Sequence, residues 1–114
     1  MHELGVVFTI AKHVEDIAKD NRVTKVHSVT LEIGGVSTII PYYLTDCWNW
    51  NANKSDLLRG CELIIETIDA VTYCEACKKE YPTVTYGKTC PHCQSENTYL
   101  VRGNEVTITE ICEE

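Results

Sequence analysis

Four cysteines in the second half of the chain form two pairs, Cys74-x2-Cys77 and Cys90-x2-Cys93, with twelve residues between the pairs. Two residues between the cysteines of a pair allow a tight turn that directs both sulfurs at one ion, and two such turns complete a tetrahedron. Zn²⁺ accepts this geometry without strain, and four thiolates leave no coordination position for water or substrate. The spacing therefore predicts a structural zinc site.

Iron is the alternative metal for these four sulfurs, because residues 90–93 (CPHC) are similar to the Cys-Pro-x-Cys turn of rubredoxins. Rubredoxin-type knuckles usually place glycine after the second cysteine, where it relieves backbone strain. This chain has Lys78 and Gln94 at those positions. Zinc therefore stays the prediction, and a one-electron iron carrier is left open. His92 is expected to be an exposed spacer inside the second knuckle.

The other three cysteines, Cys47, Cys61 and Cys112, have no base partner evident in the sequence and are interpreted as small apolar fillers. The seven cysteines are an odd number, and no export signal is evident in the sequence. Both features argue against a disulfide framework. A reducing cytoplasm and a metal site explain this cysteine usage most simply. No constellation of catalytic side chains is evident, so we do not expect an enzyme.

A second group of potential ligands, Met1-His2-Glu3, opens the sequence. A free amine on Met1, the backbone amides and the His2 imidazole are nitrogen donors, which Ni²⁺ and Cu²⁺ prefer in tetragonal arrangements. Glu3 adds a carboxylate for charge compensation or weak coordination. On spacing alone, an incidental helix start is the more common explanation, with Glu3 complementing the helix dipole.

Two helices are predicted among the elements that must position these ligands. Helical spacing runs from Leu4 to about Asn21, and Pro41 marks the first position of a second helix. The first apolar stripe consists of Leu4, Val7, Ala11, Val14 and Ala18, widened by Phe8, Ile10 and Ile17. The second helix is unusually aromatic, so we expect it to lie against a sheet.

Three segments carry strand patterns, at 24–33, 61–68 and 105–112. The first alternates with a period of two and predicts a half-buried strand, and the second is apolar on both faces. The inward set of the first strand is Val29, Leu31 and Ile33, and the outward set is Ser28, Thr30 and Glu32. In the last strand, Val106 and Ile108 alternate with Thr107 and Thr109.

Together these patterns predict an α+β protein, with a small sheet of about three strands, two helices and an inserted zinc-ribbon-like domain. We assign residues 1–72 and 104–114 to the α/β domain and residues 73–103 to the zinc-binding domain. The insert is too short and too poor in aliphatic residues to build a core of its own. Zinc binding supplies about 10–16 kcal/mol in small metal-folded peptides, which offsets this shortage.

The net charge of −7 disfavours nucleic acid as a partner, because binding a phosphate backbone draws on clustered Lys and Arg. No apolar run approaches the roughly 20 residues that span a bilayer. No secretory segment is evident either, since His2, Glu3, Lys12 and His13 interrupt the opening stretch. We therefore expect a soluble, cytoplasmic protein with no membrane partner, and a homodimer is left open.

Taken in order, several segments resemble the HypA/HybF family of nickel metallochaperones, which serve [NiFe]-hydrogenase and in some cases urease maturation. These segments are MHE, VHSVTLEIGGVSTIIP, DLLRGCELIIE, CEAC, CPHC and GNEVTITEI. The resemblance covers nearly the whole chain. Its specific part is the combination of an initiating Met-His-Glu with a late pair of cysteine knuckles.

The resemblance implies that the protein binds Ni(II) through Met1, His2 and Glu3 and holds structural Zn(II) with Cys74, Cys77, Cys90 and Cys93. It also implies two partners, a nickel-handling GTPase of the maturation pathway and the hydrogenase large subunit. The alternative is an adaptor zinc-ribbon protein that mediates protein contacts and carries no nickel. One departure concerns the second helix, where relatives commonly have Pro-Glu and this chain has Pro41-Tyr42, so a helix-start carboxylate is missing.

Overall fold

The computed structural model describes residues 3–114. Its helices are α1 (Glu3–Asp20), α2 (Pro41–Ala52) and the single turn α3 (Thr83–Tyr86). Its strands are β1 (Val26–Gly34), β2 (Glu62–Ile68), β3 (Val71–Cys74), β4 (Lys79–Pro82), β5 (Thr98–Arg102) and β6 (Val106–Glu113). The strands form two sheets of three, ordered β2-β1-β6 and β4-β3-β5. The α+β class, with two long helices and a three-stranded sheet, is confirmed, whereas the turn α3 was not predicted.

The chain divides into two compact units. The first contains the described residues up to Leu31 together with Thr38–Glu66 and Thr107–Glu114. The second contains Glu32–Ser37 and Thr67–Val106. Among residues 3–114, no helix is both long and apolar enough to span a membrane.

Helix α1 buries most of the predicted stripe. Its buried residues are Val6, Val7, Ile10, Ala11, Val14 and Ala18. Two predicted members were wrong, since Phe8 is 48 % exposed and Ile17 is 40 % exposed. Phe8 lies about 100° around the helix from Val7, which takes it off the packed face. Ile17 is in the last turn, where it lines an open groove with Val23 and Ile111.

Helix α2 begins at Pro41, as predicted. The preceding residue, Ile40, is the N-cap residue and has an extended conformation. It packs against α1 and buries Leu44, Trp48 and Ala52. Of its aromatic side chains only Trp48 is buried, and its Nε1–H donates to the Cys61 carbonyl oxygen at 3.1 Å. The other three aromatic rings project from the opposite side of the helix and are exposed, so they do not pack against a sheet as expected.

Strand β1 is the central strand of the first sheet, and the expectation of one exposed face was wrong. Ser28 and Thr30, which were expected on that face, are both buried. Strand β6 runs antiparallel to β1, as the Glu114 N–H bonds the Lys25 carbonyl and Thr109 Oγ1 donates to the Thr30 carbonyl. The alternation predicted for the first half of β6 is confirmed.

The second sheet is antiparallel throughout and has β3 at its centre. Cys74, the last residue of β3, is opposite Lys79 in β4 and Thr98 in β5. In the same unit, the loop after β1 is hydrogen-bonded to residues that come before β3 and after β5: the Gly35 N–H donates to the Ile68 carbonyl and the Val36 N–H donates to the Gly103 carbonyl. A Cβ atom at Gly34 would overlap the Gly103 carbonyl, so this approach of two backbones requires glycine.

Candidate metal centre

The sulfur atoms of Cys74, Cys77, Cys90 and Cys93 lie within 4.8 Å of one another. Two pairs cross between the knuckles, with Sγ atoms 3.5 Å apart for Cys74 and Cys93 and 3.6 Å apart for Cys77 and Cys90. Four sulfurs at about 2.3 Å from a tetrahedral zinc ion are separated by about 3.8 Å. The four donors therefore fit one tetrahedral ion, and all seven cysteines of the chain are free thiols.

Each knuckle is closed by the same backbone turn. The N–H of Lys78 donates to the Cys74 carbonyl at 2.8 Å, and the N–H of Gln94 donates to the Cys90 carbonyl at 2.9 Å. Lys78 and Gln94 have φ angles of 60° and 65°, in the left-handed region that favours glycine. The two positions singled out from the sequence as glycine sites are thus the two strained residues of the knuckles.

Loop hydrogen bonds hold the second knuckle against the sheet. The Cys90 N–H donates to the Ser95 carbonyl at 2.9 Å, and the Glu75 N–H donates to the Asn97 carbonyl at 3.0 Å. Thr98 Oγ1 donates to the Lys88 carbonyl at 2.7 Å. These bonds place Cys90 beside Cys74, because Thr98 is the partner of Cys74 in the β3–β5 register.

A small apolar cluster lies behind the sulfurs and contains Cys74, Cys90 and the Tyr81 ring, with Cys77 packed against it. The Tyr81 hydroxyl donates to the Gly87 carbonyl at 2.8 Å, and the Tyr86 ring meets Tyr81 edge-on. The supporting role of Tyr81 was not predicted from the sequence. The sequence feature that could have indicated this role is that Tyr81 is a large side chain in a segment with few aliphatic residues.

Burial differs within each knuckle, and the thiol pKa differs between the two cysteines of the first knuckle. The first cysteines, Cys74 and Cys90, are fully buried, whereas Cys77 is half-buried and Cys93 is exposed. A hydrogen bond from the Cys77 backbone N–H lowers the pKa of Cys74 to about 7. Burial and the neighbouring thiols raise the pKa of Cys77 to about 12. The environment therefore favours one thiolate first, and a cation is needed to hold all four thiolates together.

The remaining cysteines are separate from this centre. Cys61 is buried, and its loss of contact with water raises its pKa to about 11, which fits the predicted role of a small apolar filler. Cys47 and Cys112 are half-buried, and the Cys112 thiol donates to the Glu110 carboxylate at 3.1 Å. The filler interpretation therefore holds best for Cys61.

The predicted nickel ligands Met1 and His2 lie outside the described residues. Glu3 opens α1, and its Oε2 accepts a hydrogen bond from the Ile40 backbone N–H at 3.0 Å. This contact joins residues 37 positions apart and was not foreseen from the sequence. His13 is exposed on α1 and His27 is exposed near the start of β1. His92 is exposed in its knuckle, as predicted.

Within the described part of the chain, the four knuckle cysteines are the only group of three or more Cys, His, Asp or Glu side chains with donor atoms close enough to share one ion. A cluster of four thiols, spaced so that they could share one metal ion, is thus the clearest chemical feature of residues 3–114.

Comparison with known proteins gives the chain its relatives. The family model described as "Hydrogenase/urease nickel incorporation, metallochaperone, hypA" matches residues 1–112. The hydrogenase maturation factor HypA of Geobacter metallireducens is 32 % identical over 111 residues, covering 97 % of both chains. HypA of Actinobacillus succinogenes is 31 % identical over 114 residues, covering 100 % of both chains.

The fold has a solved counterpart in the solution structure of the Ni metallochaperone HypA from Helicobacter pylori. The two chains superpose with a TM-score of 0.76 at 24 % identity, over 99 % of this chain and 97 % of that one. The shared fold agrees with the family match, which spans nearly every residue. The chain therefore belongs to the HypA family of hydrogenase/urease nickel incorporation metallochaperones.

Proposed function

We propose that this nickel metallochaperone captures Ni(II) with Met1, His2 and Glu3 and delivers it for [NiFe]-hydrogenase maturation. The observation that supports this proposal is the family match, which starts at residue 1 and includes the Met-His-Glu sequence. The donors would be the Met1 amine, backbone amides and the His2 imidazole, a nitrogen-rich set suited to tetragonal Ni²⁺. Protons compete with nickel for these donors, so acidification should release the ion.

We further propose that Cys74, Cys77, Cys90 and Cys93 hold structural Zn(II), in a zinc-binding domain at residues 73–103. The spacing of the four sulfurs supports this role, because it matches a closed tetrahedral site. Residues 1–72 and 104–114 would then form the nickel-binding domain. Iron is the competing occupant of the same four sulfurs, and the metal content of purified protein distinguishes the two.

A maturation factor acts on other proteins of its pathway. We propose a nickel-handling GTPase as the source or relay of the ion and the hydrogenase large subunit as the recipient, both in the cytoplasm. Membership of a hydrogenase and urease family supports this class of partner. A pull-down with each purified partner, in the presence and absence of nickel, tests each contact separately.

The test of nickel capture is a titration of untagged protein against a version extended by Gly-Ser before Met1. We expect the native chain to bind one Ni(II) and the extended chain to bind at least about tenfold more weakly, because the extension converts the Met1 amine into an amide and moves the free amine two residues away from the His2 imidazole. His2→Ala should weaken binding as strongly. His13→Ala is the matched control, since His13 is an exposed histidine on α1, and it should bind nickel like the native chain.

Equal nickel affinity in the native, extended and His2→Ala proteins would contradict the proposal. The adaptor alternative predicts that result, since it assigns no role to the amino terminus. The proposal also requires a free Met1 amine, so intact mass measurement of protein from its own cell is part of the test. An acetylated or trimmed terminus would remove the proposed ligand set.

A further inference from the structure

We propose that Glu3 is a positioning residue for nickel capture. Its side-chain carboxylate accepts a hydrogen bond from the backbone at the start of helix α2 and so fixes its own position. This inference rests on the proposed function and concerns how its amino-terminal site is held. The observation behind it is the 3.0 Å hydrogen bond from the Ile40 N–H to Glu3 Oε2. Glu3 is the first residue given for α1, Ile40 is the N-cap residue of α2, and the two are 37 positions apart in sequence.

Helix α2 does not itself supply a side-chain acceptor for the backbone N–H of its N-cap residue. Its N-cap residue, Ile40, has an apolar side chain, and no side-chain cap bond is found there among the described residues. In a capping box, a Glu at the third helical position accepts a bond from the N–H of the N-cap residue. That position in α2 is Tyr43, which cannot do this, and the first turn has no acidic residue. Glu3 supplies the missing carboxylate from α1.

The carboxylate lies where the amino-terminal ends of two packed helices meet. Glu3 is in the first turn of α1, and its Oε2 contacts the residue that opens α2. The N-terminal end of each helix carries a partial positive charge, so one carboxylate stabilises both ends. The contact thus fixes the start of α1 relative to α2 within the first compact unit.

This anchor bears directly on nickel binding because Glu3 immediately follows His2. Ligation by the Met1 amine, the backbone amides and the His2 imidazole requires this short segment to adopt one conformation. Ordering a backbone residue is costly, and an anchor at Glu3 removes part of that cost before the ion arrives. Loss of the anchor should therefore weaken nickel binding by about tenfold without changing the donor atoms.

The test separates this role from direct ligation by the Glu3 carboxylate. Ile40→Pro removes the N–H donor and leaves Glu3 intact, at a residue whose extended backbone suits the position before Pro41. Glu3→Ala removes the acceptor, whereas Glu3→Gln keeps an acceptor oxygen and loses the charge. Tyr42→Ala is the matched control, because it removes a largely exposed side chain from the same helix start and keeps the Ile40 N–H.

We measure Ni(II) affinity by calorimetry and the donor set by the visible absorption spectrum of bound Ni(II). Ile40→Pro and Glu3→Ala should both bind about tenfold more weakly with an unchanged spectrum. Glu3→Gln should lose about threefold or less, and Tyr42→Ala should bind like the native chain. In metal-free protein, hydrogen exchange at the Ile40 amide should be faster in Glu3→Ala than in Glu3→Gln.

Native affinity in Ile40→Pro combined with weak binding and an altered spectrum in Glu3→Ala would overturn the proposal, because the carboxylate would then be a ligand. If Ile40→Pro does not fold, the comparison of Glu3→Ala with Glu3→Gln decides. Equal nickel affinities and equal exchange rates of the Ile40 amide in these two variants would also overturn the proposal. Failure of the proposed function looks different. In that case the native chain itself binds no nickel at its amino terminus.

Discussion

Two residues of the metal centre adopt a backbone conformation that their side chains disfavour. Lys78 and Gln94 both have positive φ angles, and each follows the second cysteine of its knuckle. The turn requires this conformation so that its N–H can reach the carbonyl of the first cysteine. For residues other than glycine, the left-handed region costs about 1–2 kcal/mol. Bound metal would have to offset this strain at both knuckles.

Glycine at either position should therefore stabilise the metal-bound second unit. For Lys78→Gly and Gln94→Gly we expect a gain of about 0.5–1 kcal/mol each, after subtracting the extra entropy of glycine in the unfolded chain. Since metal binding and folding of a small site are coupled, zinc affinity should rise about two- to fivefold. Competition with a chromophoric zinc chelator measures this change.

Lys79→Gly is the control for that experiment. Lys79 is the adjacent residue, is also an exposed lysine, and lies in β4 with an ordinary φ angle. Glycine there weakens a strand, so zinc affinity should stay the same or fall. A gain in affinity for Lys79→Gly equal to that for Lys78→Gly would show that loss of lysine charge, rather than relief of strain, is responsible.

At the residue scale, the sequence predicts contacts that are local and misses those that are distant. Cys74 and Cys77 are three residues apart, so the shape of one turn already brings their sulfurs to one ion. The same local reasoning located the strained position at Lys78. Nothing in the sequence pairs Glu3 with Ile40, because that contact depends on how α1 and α2 pack.

Among the elements, α2 buries one aromatic ring in the first unit. Trp48 is fully buried, and its Nε1–H donates to the Cys61 carbonyl just before β2. Trp48→Phe keeps much of the apolar volume but leaves that buried carbonyl without its donor. We expect a loss of about 2–3 kcal/mol in the free energy of unfolding, from the unpaired carbonyl and the smaller ring.

Trp50→Phe is the matched comparison in the same helix. The Trp50 ring is 52 % exposed and carries the Lys54 ammonium 3.6 Å from its centroid. Exposed cation–π pairs contribute about 0.5–1 kcal/mol, part of which a phenyl ring retains. Urea unfolding followed by far-ultraviolet circular dichroism should therefore separate the two variants. Equal destabilisation would mean that the Trp48 hydrogen bond contributes little.

The elements also show where periodicity fails as a guide. It located α1 and α2 because their apolar residues recur with the helical period, and Pro41 identified the start of α2. Periodicity could not identify β1 as a central strand, so Ser28 and Thr30 were expected to be exposed. Burial of small polar side chains depends on the neighbouring strands, which a pattern within one segment does not contain.

For the whole molecule, the two compact units should respond differently to metal removal. The first unit has a core of aliphatic side chains and Trp48, whereas the described core cluster around the knuckles contains only Tyr81 and cysteines. Chelation should raise amide exchange rates in β3, β4 and β5 by at least about a hundredfold. Exchange in α1 and α2 should change far less. Hydrogen exchange with mass spectrometry measures both units in one sample.

Two cysteine variants provide the control for metal removal. Cys93→Ser removes one thiol of the metal centre and should reproduce the effect of chelation. Cys112→Ser removes a half-buried thiol of β6 and should retain zinc. Retention of zinc and of slow exchange in Cys93→Ser would contradict the proposed four-thiolate site, as would slow exchange of β3 after full chelation of the native protein.

The place of β6 in the chain has a consequence for biosynthesis. Strand β1 lies between β2 and β6 in the first sheet, yet β6 follows all four knuckle cysteines in sequence. A ribosome making this chain amino terminus first must therefore produce both knuckles before the first sheet can close. One edge of β1 therefore stays unpaired until β6 has been synthesised, and an unpaired strand edge is prone to aggregation.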